Sequence, residues 1–157
     1  MSESSAKPSN PKDAIGSDKL PLHLWPETAT LMGSLGMLDG ALKYGRSNFR
    51  AIGVRLSIYI DALRRHSNAY FEGEDIDPFS GIPHLAHMLA NCAIILDAMA
   101  AGTYTDDRMY PGGYRKLVEE LTPHVARMKA KYSNQNPHHY NLHSEDESAV
   151  LSVTQDS

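Results

Sequence analysis

The chain has 157 residues, 41% of them hydrophobic, and a formal net charge of −4. That length suits one packed core, and the acidic balance argues against a partner that is a nucleic-acid polymer, because phosphate neutralisation needs a basic surface. A single cysteine, Cys92, excludes an internal disulfide and a cysteine-rich zinc site. No apolar h-region opens the chain and no run approaches the ~20 apolar residues of a membrane span, so no membrane partner and a cytoplasmic location are expected.

The expected fold class is all-α: a compact bundle of about four main helices with a flexible N-terminal arm and a disordered C-terminal tail. Residues 1–9 read as a flexible tail, 10–132 as a single helical domain and 133–157 as a disordered polar tail. Asn10–Lys19 reads as turns, and Leu20–Pro26 as an extended apolar arm, since two prolines discourage helix. A first helix starts near Pro26 and ends at Gly45, with Leu31, Leu35, Leu38 and Leu42 on one face. Gly33, Gly36 and Gly40 cost it helix propensity but permit close approach of a second helix.

A second helix is predicted from Asn48 to Tyr70, its stripe running through Ile52, Leu56, Tyr59 or Ile60, and Leu63. Glu72–Gly81 is a loop broken by glycine and proline. A third helix, from Ile82 or Pro83 to Ala101, is apolar on most sides and is expected to be central. Tyr114–Lys131 is an amphipathic fourth helix that Pro123 should kink or split. No β-hairpin signal is found. His138, His139 and His143 fall in the C-terminal tail and suggest incidental metal affinity.

Three groups of residues have chemical potential. The first is the acidic loop with Glu72, Glu74, Asp75 and Asp77, followed by His84 and His87 on one helical face, which Asn91 extends by a turn. If the second and third helices are antiparallel neighbours, His66 comes close to His84. Imidazoles and carboxylates together suit Zn²⁺, Mn²⁺ or Fe, and carboxylates alone suit Mg²⁺ or Ca²⁺. A solvated acidic loop is the plainer alternative. The second group is the turn Lys43–Arg50, where Arg46 or Arg50 could hold a phosphate, Tyr44 or Phe49 could stack on a base, and Ser47 or Asn48 could cap the second helix. The third is Asp61, Arg64 and Arg65, with Arg65 either paired on the helix surface or facing the pocket as a phosphate clamp. Asp97 is either the partner of an arginine or a further metal ligand. No His-Asp dipeptide, His-Glu-x-x-His, Gly-x-Ser-x-Gly, EF-hand or Walker-type loop is present.

Several separate motifs occur in order. They are Asn10-Pro11-Lys12-Asp13-Ala14-Ile15-Gly16, Lys19-x-Pro21-Leu22, and Asp39-Gly40-Ala41-x-Lys43-Tyr44-Gly45-x-x-Asn48-Phe49-Arg50. Then come Arg65-His66, Gly73-Glu74-Asp75-Ile76-Asp77-Pro78-x-Ser80-Gly81-x-x-His84-Leu85-x-His87 and Asp106-Asp107-Arg108. Together they resemble a phage-encoded domain, the N-terminal domain of dATP/dGTP diphosphohydrolases, over about Asn10 to Arg108. The resemblance implies a link to MazG-like enzymes, which cut a dNTP to dNMP and pyrophosphate on a Mg²⁺-loaded helical scaffold. Their site uses Glu-x-x-Glu and Glu-x-x-Asp on successive helices. This sequence has no Glu-x-x-Glu, and its Glu72-x-x-Asp75 and Glu74-x-x-Asp77 lie in a predicted loop, so those catalytic residues are not carried over.

The favoured expectation is a metal-dependent phosphohydrolase acting on a purine deoxynucleotide in phage nucleotide metabolism, in the host cytoplasm. His66, His84 and His87 would hold a divalent metal (Mg²⁺, Mn²⁺ or Zn²⁺), and Glu74, Asp75 and Asp77 would be the catalytic carboxylates. Lys43, Tyr44, Asn48, Arg50, Arg65 and Asn91 would bind the nucleotide. The alternative is a non-catalytic nucleotide-binding module, either a partner of a nucleotide enzyme or a protein that sequesters a host signalling nucleotide. A homo-oligomer is expected in either case, because small helical domains often complete their core by association.

Overall fold

The structure is a computed structural model that describes residues 10–142 and 144. The expected tail 1–9, His143 and the rest of the tail from 145 lie outside the described residues. The protein is mainly helical, as its composition and periodicity predict. The helices in chain order are α1 (Pro11–Ser17), α2 (Glu27–Tyr44), α3 (Asn48–Ala51), α4 (Leu56–Phe71), α5 (His84–Ala101) and α6 (Tyr114–Lys131).

Two N-terminal readings are corrected. The stretch read as turns contains α1, which Asn10 caps by accepting a hydrogen bond from the Lys12 N–H at 3.0 Å, with proline in the first turn. The arm read as extended contains a 3₁₀ turn at Leu22–Leu24 between its two prolines. Pro26 and Gly45 bound α2, and the Gly45 N–H closes on the Ala41 carbonyl.

The predicted second helix is two helices. Its hydrophobic period runs unbroken through the junction, but Gly53 stands there with φ +90°. A Cβ on Gly53 would lie 2.6 Å from the Thr103 carbonyl oxygen, and Val54 N–H donates to that same carbonyl at 3.0 Å. Val54–Arg55 (β1) and Tyr104–Thr105 (β2) form a two-stranded sheet that the sequence reading missed. The cause is a residue fifty positions away, which a local pattern does not register.

The chain divides into two units. One contains Ile58–Tyr104 and the described residues up to Val54; the other contains Arg55–Ser57 and the described residues from Thr105 onward. In the first unit α2 packs on α5 through its smallest residues. A Cβ on Gly36 would sit 2.8 Å from the Ala86 carbonyl oxygen and 2.9 Å from the Ala90 Cβ. Ala86 and Ala90 are buried. Gly33 and Gly36 thus form the packed face, and the leucine stripe does not: Leu31, Leu38 and Leu42 are 69%, 55% and 79% exposed. α5 is long and apolar enough by composition to cross a membrane. However, its alanine ridge and two buried histidines are packed against protein.

In the second unit Asp107 receives the Ser57 N–H at 2.8 Å and the Ser57 hydroxyl at 2.5 Å, so it caps the first turn of α4 from a distant segment. α6 runs unbroken through Pro123 and has no buried residue. Pro123 therefore does not split it.

Candidate functional site

Helices α4 and α5 and the loop between them bring three histidines together. α4 ends in backbone bonds from Gly73 N–H to the Tyr70 carbonyl and from Glu74 N–H to the Ala69 carbonyl, which close the helix and turn the chain back. The loop is then folded on itself. Asp77 N–H donates to the Ile82 carbonyl, Gly81 N–H to the Asp77 carbonyl and His84 N–H to the Asp75 carbonyl, all within 3.0 Å. Pro83 precedes the helix as its N-cap residue.

Within this frame the His66 and His84 Nδ1 atoms lie 2.8 Å apart, and His84 Nε2 lies 2.8 Å from Glu74 Oε1. His87 stacks on His66 with centroids 4.6 Å apart and planes 9° from parallel. Ser80 Oγ is 2.9 Å from Asp77 Oδ2 and 2.7 Å from His87 Nε2. The carboxylate can only accept, so Ser80 donates to Asp77 and accepts from the His87 Nε2–H. Ser80 is a site residue that the sequence reading did not single out. Its signal was local: an Asp-x-x-Ser turn just before a histidine-bearing helix.

The electrostatics follow the burial. Desolvation lowers the His66 pKa, helped by His87, His84 and Arg65 and opposed by Asp77. Desolvation alone would raise the Asp77 pKa, but the Phe79 N–H, the Ser80 hydroxyl and the two nearby imidazoles outweigh it and leave it lowered. His66 is therefore set to be neutral and Asp77 to be charged near neutral pH.

His66 and His87 border a cleft of about 860 Å³ inside the first unit, within the range of about 300–1,000 Å³ usual for small-molecule sites. Of the residues expected to bind a ligand, Lys43, Tyr44, Asn48, Arg65 and Asn91 line it, together with His66, His87 and Asp77. Arg46 and Phe49 also line it. Arg46 and Arg65 have no ion-pair partner among the described residues, whereas Lys43 is held by Asp39 at 2.7 Å. That hydrogen bond raises the Lys43 pKa and keeps the side chain cationic. Tyr44 and Tyr59 add aromatic surface, and burial raises the Tyr59 pKa. Asn91 donates to the His87 carbonyl at 2.9 Å, which leaves its side-chain oxygen as an acceptor.

Four expected site residues are placed elsewhere. Arg50 forms a two-pronged pair with Asp97, Nε to Oδ2 at 2.7 Å and Nη2 to Oδ1 at 2.5 Å, which ties α3 to α5. Its charge is therefore committed, and Asp97 is an arginine partner. His84 lies behind the cleft wall and is almost fully buried, while Glu74 and Asp75 are exposed residues outside the lining.

The histidines do not fit a metal as a set. Two nitrogens on one zinc ion, each at about 2.0–2.1 Å with tetrahedral angles, stand about 3.3 Å apart. The His66 and His84 Nδ1 atoms are at hydrogen-bond distance instead, and the remaining His84 nitrogen is on Glu74. Among the described residues no group of three or more His, Cys, Asp or Glu side chains is arranged to hold a metal ion.

A family model described as dATP/dGTP diphosphohydrolase, N-terminal, matches residues 9–108. The chain belongs to this family. The match takes in every residue of the cleft and of the histidine group and ends before α6. Membership relates this dATP/dGTP diphosphohydrolase N-terminal domain to nucleotide hydrolysis. No curated relative and no solved structure matches the chain.

Proposed function

We propose that the cleft binds a purine deoxynucleoside triphosphate and hydrolyses it to the monophosphate and pyrophosphate. The observation that supports this most is convergence. Arg46 and Arg65, unpaired among the described residues, the aromatic rings of Tyr44, Phe49 and Tyr59, and the imidazoles of His66 and His87 border one cleft inside the family-matched region. Arginines suit a phosphate chain, because guanidinium presents several charge-assisted donors at once. Aromatic faces suit a purine. A divalent cation enters this reading as the counter-ion carried on the triphosphate. A phage setting, in the cytoplasm of the host, belongs to the same proposal.

The test is to incubate the protein with dATP, dGTP, dCTP and dTTP in the presence of Mg²⁺ or Mn²⁺ and to separate the products by anion exchange. Release of dAMP or dGMP with pyrophosphate is the expected result. Intact substrate in every reaction would sink the proposal. A second reading, a nucleotide-binding module without turnover, has its own support in the absent Glu-x-x-Glu motif and in histidines engaged with one another rather than with a ligand. Calorimetry followed by analysis of the recovered nucleotide separates the two.

The proposal includes self-association. Leu31, Leu35, Leu38 and Leu42 follow the 4-3-4 spacing of a coiled-coil seam and are exposed on α2. A second copy of the chain is the proposed cover. Light scattering at micromolar concentration should give at least twice the 17.3 kDa of one chain, and a monomer would remove this part.

A further inference from the structure

We infer that Glu74 and His84 form a hydrogen-bond relay that orients His66 as the base for the attacking water. This rests on the hydrolytic reading above and deepens it. It also accounts for a set of histidines whose geometry does not suit a metal.

With a neutral His84, the hydrogen-bond chain fixes its own protons. Glu74 can only accept as a carboxylate, so His84 donates from Nε2 across the 2.8 Å contact. A neutral His84 then has a lone pair on Nδ1. His66 Nδ1, 2.8 Å away, must therefore carry the hydrogen. That leaves His66 Nε2, on the opposite side of the ring, as a bare lone pair on a residue that borders the cleft. His84 is buried and Glu74 is half exposed, so the relay leads away from the cleft toward solvent. The stacked His87, held through Ser80 and Asp77, fixes the plane of the His66 ring.

The arrangement supplies what a general base needs: a neutral imidazole, an oriented ring and stabilisation of the cation formed on protonation. In the step itself His66 Nε2 takes a proton from water. The water oxygen bonds to the α-phosphorus. The bond from that phosphorus to the α–β bridging oxygen breaks, and its electron pair leaves on pyrophosphate. The imidazolium then returns its proton to pyrophosphate or solvent. Glu74 and His84 do not touch the substrate. They are positioning residues: both hold the His66 tautomer, and the Glu74 carboxylate offsets its charge.

The groups facing His66 are His84 and His87 from α5, Asp77 from the loop, and Arg65 from α4 itself. Arg65 and the other imidazoles disfavour the protonated ring and Asp77 favours it, so the working form is present on the alkaline side of the His66 titration. Replacing Glu74 by glutamine keeps an acceptor for His84 but removes the negative charge. The protonated His66 is then less stable, and the acid limb moves to lower pH.

The experiment has two arms on the full chain. The first is long-range ¹⁵N–¹H correlation of ¹⁵N-histidine-labelled protein at neutral pH, which reads tautomers without turnover. His66 is expected as Nδ1–H and His84 as Nε2–H. An Nε2–H or doubly protonated His66 overturns the relay, since a charged His84 donating at both nitrogens gives the first of these. The second arm is the pH dependence of dGTP hydrolysis. H66Q should lose roughly 10²–10⁴-fold in kcat, as expected for loss of a general base. E74Q should lose less kcat and shift the acid limb of kcat/KM to lower pH, with E119Q on α6 unchanged in both. A wild-type acid limb in E74Q, at wild-type kcat, overturns the positioning role. Absence of dATP and dGTP turnover by the wild type overturns the base assignment together with the proposed function. The tautomer arm independently tells whether the relay exists.

Discussion

The two units of this chain are held by different physics. The first is built on close packing: a glycine and alanine seam joins α2 to α5, two histidines are buried beside it, and a cleft opens next to them. The second is built on surface polar contacts. Asp107 caps α4 through Ser57, Asp106 pairs with Arg108 at 2.5 Å, and α6 buries no residue. The family match covers the described residues of the first unit and stops at Arg108. Residues with chemical potential thus coincide with the tightly packed unit. A cleft that must hold a ligand in register needs rigid walls, and small-residue seams supply them.

The largest expected effect is on that seam. Gly36→Val forces a branched side chain against the Ala86 backbone, where no side-chain adjustment makes room. Overpacking of this kind costs about 1–3 kcal/mol or more. It should lower the thermal midpoint by several degrees and abolish nucleotide binding, as read by calorimetry and dichroism. Next in size are the cleft arginines. Arg65→Ala and Arg46→Ala each remove charge-assisted contacts worth about 1.5–3 kcal/mol. Each should weaken dGTP binding by roughly tenfold or more, with little change in thermal midpoint.

Smaller effects are expected from the surface pairs. Hydrogen bonding from Arg50, and then its charge, hold the Asp97 carboxyl below its ordinary range despite slight desolvation. Its contribution is therefore complete above the unfolded carboxylate value of about 3.9 and is lost as pH falls through the folded value. In the second unit Arg108 lowers Asp106 to about 2 in the same sense. Urea midpoints between pH 7 and pH 3 should fall less steeply in Arg50→Ala than in the wild type. The effect should be small, because both partners are solvent-screened. Smallest of all, Leu121→Ser on half-exposed α6 should leave dGTP turnover unchanged. A large loss of turnover there would break the division between a chemical unit and a surface-held one.

Much of this organisation was legible in the sequence. The limits of α2 followed from Pro26 and Gly45, and those of α6 from its stripe. The approach of His66 to His84 followed from a helix, a short loop and a helix. Other features depend on contacts distant in the chain. The break at Gly53 is set by Thr103, and the engagement of Arg50 by Asp97 forty-seven residues on. The leucine stripe of α2 identifies an apolar face, but periodicity does not say whether a chain covers that face with its own residues. Here the opposite, glycine face is the covered one. α1 was missed although Asn10 and Pro11 carry the usual signals of a helix start, because the glycine and aspartates after them read equally well as turns.

The most direct measurement is product analysis after incubation of the wild-type chain with dATP and dGTP, run beside Arg65→Ala. The expected result is dAMP or dGMP with an equal amount of pyrophosphate, sharply reduced in the variant. Unchanged triphosphate in the wild-type reaction, or equal turnover by the two proteins, would contradict the assignment of the cleft as the hydrolytic site.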